Sequence, residues 1–225
     1  MKSLVVFVCA ALVSIPALGG PTAADEQFAR MAERVCAPCH GRQGKSISPA
    51  FPRLAGQPAP YLETQLRAFH DRTRADPAAQ GYMWGMTSQL EQEAIRGLAA
   101  YYASRPALPL PTAAESALLE KGKRIYEQGL PAQSVPACTS CHGARGEGDG
   151  ANARLAGQHP EYLVKQLEYF RAELRTNDPI MRQICAEMNA DQIRAVAVYA
   201  SSLEPAAPLA AREASSSPAT PAALR

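Results

Sequence analysis

A six-residue string of unusual chemistry occurs twice in this chain. Cys36-Ala37-Pro38-Cys39-His40-Gly41 returns 102 residues later as Cys138-Thr139-Ser140-Cys141-His142-Gly143. The copy runs well beyond the motif. Leu54-Ala55-Gly56-Gln57 returns as Leu155-Ala156-Gly157-Gln158, Tyr61-Leu62 as Tyr162-Leu163, Gln65-Leu66 as Gln166-Leu167, and Phe69 as Phe170. Further on, Ala94-Ile95-Arg96 matches Gln192-Ile193-Arg194 and Tyr101 matches Tyr199, now 98 residues apart. Self-similarity on this scale means one folding unit built twice. The units are placed at 20–106 and 112–204. The join, 107–111, follows Pro106 and holds Pro109 and Pro111, so it should be extended and stiff. From 205 to 225 the chain is mostly Ala, Pro and Ser, a composition with too little to bury to hold a fixed structure.

The N-terminus reads as an address. Lys2 precedes an apolar run from Leu4 to Ile15, then Pro16 and the small-x-small pattern Ala17-Leu18-Gly19. A signal peptide over 1–19 is expected, with a second cut site after Ala24. An uncleaved anchor is the competing reading, but the run is shorter than the roughly 20 apolar residues a membrane-spanning helix needs. Cys9 leaves with the signal. The chain is therefore expected to be exported to the periplasm with no transmembrane segment, working free or at the membrane surface. A formal charge of +2 on 225 residues lacks the basic excess of a nucleic-acid binder.

Each unit reads as helical. Apolar residues recur at helical spacing at Tyr61, Leu62, Leu66 and Phe69 and at Ile95, Leu98, Ala99 and Tyr102, with echoes at Tyr162, Leu163, Leu167, Phe170 and at Ile193, Val196, Ala197, Ala200. Thr22 and Thr112, each followed three residues later by an acid, read as helix N-caps. Gly122 and Tyr126 share one face of the second unit's first helix. The stretch from Gly41 to Pro60 has no periodicity, so something other than a large apolar core must order it.

In an exported chain Cys-x-x-Cys-His reads as covalent haem attachment. Two thiols three residues apart reach the two vinyl groups of one porphyrin, and the next histidine is then held beneath the iron. A redox disulfide would leave the histidine idle, and a zinc site would be short of ligands. Two haems are expected, with Cys36, Cys39, Cys138 and Cys141 as thioethers and His40 and His142 as axial ligands. Methionine as the sixth ligand would raise the potential and close the iron to small molecules. At the 98-residue offset Met83 falls on Met181, whereas Met86 falls on Ile184 and Met188 on Leu90. Met83 and Met181 are the candidates. His70 and His159 have no counterpart in the other unit and are expected to face solvent. Cys185, opposite Thr87, is expected to be a buried, inert thiol.

These motifs resemble the dihaem cytochrome c4 family, two class I cytochrome c domains in tandem. The resemblance spans about 25 to 204 and includes Asn177-Asp178-Pro179-Ile180-Met181-Arg182. It implies an all-α fold, each domain a small helical bundle around one covalent haem, with the haems near the domain interface. It also implies a non-enzymatic carrier that passes electrons from respiratory-chain donors to a membrane-bound terminal oxidase or reductase. A cytochrome subunit of a periplasmic dehydrogenase and a dihaem peroxidase are the alternatives. The family's proline before Leu-Ala-Gly-Gln, whose carbonyl orients the haem histidine, is Pro52 in the first unit; Ala153 replaces it in the second.

Overall fold

A computed structural model describes residues 22–111 and 114–205. The signal peptide over 1–19, Thr112 and nearly all of the 205–225 tail lie outside the described residues, whereas Ala24, the second cut site, lies in the first helix. Among those described, the chain is helical throughout and forms no strand; Leu130 and Val135 make one isolated antiparallel bridge.

The first domain opens with α1 (Ala23–Met31). Thr22 caps it in a reciprocal capping box with Asp25, as its spacing predicts. The helix passes through a π-turn, Ala32–Cys36, straight into α2 (Ala37–His40). Helix α3 (Ala59–His70) follows the aperiodic loop, α4 (Trp84–Thr87) continues a second π-turn over Ala79–Met83, and α5 (Gln92–Ala103) closes the domain. The second domain repeats the plan with α6 (Ser116–Gln128), α7 (Thr139–His142), α8 (Pro160–Arg171), α9 (Pro179–Ala186) and α10 (Ala190–Ser202). Helix α6 begins at Ser116, after Glu115, rather than at the Thr112 cap read from sequence. The acid at 115 thus becomes the residue before the helix instead of part of its first turn.

In both domains the first and last helices cross at close range, α1 on α5 and α6 on α10. A glycine permits each crossing, but on opposite partners. In the first domain Gly97 of α5 leaves room for the ring of Phe28; in the second Gly122 of α6 lies against the backbone of Ala195 and the Cβ of Tyr199. Ala195 stands opposite Gly97 in the repeat, so the small residue has moved to the other helix.

The predicted stripes form the cores. Leu62, Leu98, Ala99 and Tyr102 cluster with Ala32 in the first domain, and Leu163, Ile193, Val196, Ala197 and Ala200 with Ile125, Tyr126 and Val135 in the second. Tyr126 is fully buried and donates its hydroxyl to Gly143 O, tying α6 to the turn after His142.

The domains meet through polar groups repeated in both halves. Arg74 of the first domain and Arg175 of the second are buried side by side, and each donates to both Gln65 and Gln166. Each guanidinium also lies over its own domain's phenylalanine, Phe69 or Phe170. The equivalence breaks at one position: Arg74 pairs with the carboxylate of fully buried Asp76 at 2.9 Å, whereas Arg175 meets only the amide of Asn177 at 3.2 Å.

Candidate haem sites

Each Cys-x-x-Cys-His motif lies on a short helix that ends at a glycine of positive φ, Gly41 at 75° and Gly143 at 81°. A Cβ at Gly41 would stand 2.6 Å from Lys45 O, so the chain can reverse there only as glycine. Cys36 and Cys138 are half-buried and Cys39 and Cys141 exposed, and none of the four is in a disulfide. Burial pushes the Cys138 thiol up to about 11, and it raises Cys36 as well. Among the described residues no three His, Cys, Asp or Glu side chains converge as a metal-binding group.

The histidines are held alike. His40 Nδ1 lies 3.0 Å from Pro52 O, and His142 Nδ1 lies 2.8 Å from Ala153 O. A carbonyl only accepts, so Nδ1 carries the proton and Nε2 keeps its lone pair, the form a metal requires. Burial lowers both histidines' affinity for a second proton, which keeps them neutral. Replacing the family's proline with Ala153 costs the second domain nothing in this hydrogen bond, because the acceptor is backbone.

Met83 ends the π-turn before α4, and Met181 sits in the first turn of α9; both are half-buried. Asp76 and Asp178 cap the two segments at Ala79 N and Met181 N, respectively. The first domain has a longer segment between its cap and α5, including the π-turn, so counting from the caps would misalign the methionines. Counting from the far end aligns them. Thr87 and Cys185, four residues after Met83 and Met181, are equally buried at 1% and 0% exposure. Met86 is 46% exposed, while Met188 is packed in the second core. Cys185 is the inert buried thiol expected, with burial first among the causes that push it up to about 12.

The two segments are braced by different chemistry at matching positions. Arg72 lies over the Trp84 ring at 5.5 Å, and its counterpart Glu173 pairs with Arg182, the counterpart of Trp84, at 3.1 Å. In the first domain an aromatic series, His40 against Phe51 and Phe51 against Tyr82, runs out to a tyrosine that is 60% exposed. Asn152 and Ile180 hold those places in the second domain.

Of the two histidines expected to face solvent, His70 is half-buried beside Asp71, at 2.7 Å. His159 is a correction. It is 5% exposed and donates Nε2–H across the domain boundary to Ser46 O at 3.0 Å. Its lack of a counterpart reflects this one-sided contact. Sequence reading also assigned no role to Arg53 and Arg154, which precede the two Leu-Ala-Gly-Gln segments and are buried at the interface. Their recurrence in both copies was the available signal.

The residues present fit haem. Besides two ligand-competent histidines behind paired thiols, Arg154 is a buried guanidinium that meets no carboxylate among the described residues and whose Nε has no acceptor there. Burial, then the neighbouring Arg53, lowers it to about 10. A buried cation of this kind suits an anionic cofactor edge, and haem carries two propionates.

The cytochrome c family model matches the chain twice, over residues 26–105 and 119–204. Cytochrome c4 of Thiocapsa roseopersicina is 39% identical over 189 residues, covering 82% of this chain and 93% of the relative. The chain belongs to the dihaem cytochrome c4 family. It is built of two tandem cytochrome c domains and binds two haem c groups covalently. The crystal structure of reduced cytochrome c4 from Pseudomonas stutzeri superposes with a TM-score of 0.70 at 34% identity, covering 80% of this chain and 98% of that one. A thiosulfate dehydrogenase electron acceptor of Stutzerimonas stutzeri strain A1501 is 36% identical over 176 residues, covering 76% of this chain and 80% of the relative. Like other members of the family, the chain is a dihaem electron-transfer cytochrome. No helix among the described residues is long and apolar enough to cross a membrane.

Proposed function

We propose that the chain is a periplasmic electron carrier, not an enzyme, that takes electrons from respiratory-chain donors and delivers them to a membrane-bound terminal oxidase or reductase. In each domain the motif cysteines hold one haem, Cys36 and Cys39 in the first and Cys138 and Cys141 in the second. His40 with Met83, and His142 with Met181, are the axial pairs. The bound haem supplies the reversible one-electron couple; the protein sets its potential and access. The chain's own part is to keep each imidazole neutral and aimed, through Pro52 O and Ala153 O, and to present a thioether from the opposite segment. Thioether ligation favours the ferrous state and raises the potential.

The observation that carries this reading is that both domains have the full set, histidine on a backbone carbonyl and methionine in equivalent register. A peroxidase would need one open iron. The likeness to a thiosulfate dehydrogenase electron acceptor favours a second reading, in which the donor is a periplasmic dehydrogenase. A redox titration with absorption spectra of the purified protein tests the first. Two one-electron steps with low-spin spectra in both oxidation states support it, and a high-spin, ligand-binding ferric haem at either site overturns it. Reduction of the oxidised protein by thiosulfate plus a thiosulfate dehydrogenase, compared with reduction by a quinol-oxidising membrane fraction, separates the two donors.

A further inference from the structure

The carbonyl that orients each histidine belongs to a peptide unit gripped by the other domain. Pro52 C=O and Arg53 N–H are the two ends of one planar amide. His40 Nδ1–H donates to its oxygen at 3.0 Å, and its N–H donates to Gln158 Oε1 of the second domain at 2.8 Å. Gln158 Nε2 then donates to Arg53 O at 3.0 Å, so the glutamine holds Arg53 at two points. The mirror arrangement is complete. His142 Nδ1–H donates to Ala153 O at 2.8 Å, Arg154 N–H donates to Gln57 Oε1 of the first domain at 2.9 Å, and Gln57 Nε2 donates to Arg154 O at 2.9 Å. Gln57, Gln158, Arg53 and Arg154 are between 2% and 7% exposed, so water cannot stand in for the amides. The arginine side chains reinforce the grip, Arg53 on Gly157 O at 2.8 Å and Arg154 on Ala55 O at 2.9 Å.

We propose that Gln158 positions His40 and Gln57 positions His142, so that each haem's axial histidine is set by the opposite domain. The proposal rests on the reading of the two histidines as iron ligands. It follows from how hydrogen bonds act in series. An acceptor on the amide N–H polarises the peptide and makes its oxygen a stronger acceptor for the imidazole N–H. A more strongly bonded Nδ1–H makes Nε2 a better donor to iron, the usual action of a partner behind a metal-bound histidine. Better donation favours ferric iron. Loss of the glutamine therefore moves the potential of the haem in the other domain upward.

The test uses the full haem-loaded protein with Gln158→Met and Gln57→Met, which keep length and remove the amide. Reduction potentials are measured for each haem separately, assigned through the hyperfine-shifted proton signals of the ferric protein. Gln158→Met should raise the potential of the His40 haem and shift its axial-histidine signals, leaving the His142 haem close to its parent value. Gln57→Met should do the reverse. Should either methionine variant fail to fold, Gln158→Glu keeps the acceptor oxygen and adds charge to it. It should lower the His40 potential more than the His142 potential. A purely structural role for the glutamines would disturb the domain that carries the substitution at least as much. Normal low-spin spectra with potentials that move in the substituted domain, or in neither, overturn the crossed positioning and leave the ligand reading intact. A parent protein without histidine-ligated iron contradicts the ligand reading itself.

Discussion

The two arginines at the domain seam should respond very differently to removal. Arg74 and Arg175 share the acceptors Gln65 and Gln166, at 2.6 to 2.9 Å, and both are almost wholly buried. Arg74 also neutralises Asp76, which is 0% exposed. Arg74→Met leaves that carboxylate buried without its ion partner, a change that costs about 3–5 kcal/mol. Arg175→Met strands no charge. Its glutamine acceptors keep Arg74, and the amide of Asn177 is neutral. Burial, and next the Arg74 guanidinium beside it, pull Arg175 below the ordinary arginine range, so losing its charge also relieves desolvation and like-charge repulsion. Against these gains stand three hydrogen bonds from the charged guanidinium to neutral amides, of which the Gln65 and Gln166 oxygens stay satisfied by Arg74, so the net cost should be about 1–2 kcal/mol. The assay is urea unfolding of both haem-loaded variants followed by far-ultraviolet circular dichroism. Arg74→Met should have much the lower midpoint, and Asp76→Asn in that background should restore part of the loss. An Arg175→Met variant as unstable as Arg74→Met, or more so, would contradict this ordering.

Met83→Ala and Met181→Ala should each remove about half of the sulfur-to-iron charge-transfer absorption and open one iron to cyanide, while Met86→Ala leaves the band whole; absorption spectra of the ferric proteins check this. Gly122→Ala drives a Cβ into the Ala195 backbone, which cannot step aside, and should cost about 2 kcal/mol after helix propensity returns its roughly 1 kcal/mol, read as a lower thermal midpoint. His159 has its pKa lowered by burial, so the neutral form is favoured in the folded state; its contribution is full above about pH 6.5 and is lost as pH falls toward the folded value. His159→Gln should therefore lose less stability than the parent between pH 7 and pH 5, and parallel pH profiles would contradict this.

Local signals in the sequence carried the helices, the cores and the haem motifs. Apolar residues at helical spacing mark Leu62, Leu98, Leu163 and Ile193 as buried without reference to any partner. Cys-x-x-Cys-His encodes its chemistry in five consecutive residues. The methionine register was taken from the internal alignment that the repeat supplies, and Thr87 and Cys185, which it pairs, are both buried. What escaped was the seam. Arg53, Arg74, Arg154 and Arg175 look like ordinary surface cations in a charged chain, because arginine is buried only when distant acceptors assemble around it. Their cross-domain acceptors lie about a hundred residues away, Gly157 O for Arg53, Gln166 for Arg74, Ala55 O for Arg154 and Gln65 for Arg175. His159 was misread for the same reason, since its acceptor is a backbone carbonyl of the other domain. The second domain's first helix begins only at Ser116, because capping chemistry alone does not fix where a helix begins.

Whether both motifs hold haem through their cysteines is read from intact-mass spectrometry of the purified protein with peptide mapping. The mass should exceed that of the polypeptide by two haems, with one haem on the peptide containing Cys36 and Cys39 and one on that containing Cys138 and Cys141. Replacing Cys138 and Cys141 by serine should leave a single haem on the first. An unmodified mass, or both haems retained after that replacement, would contradict it.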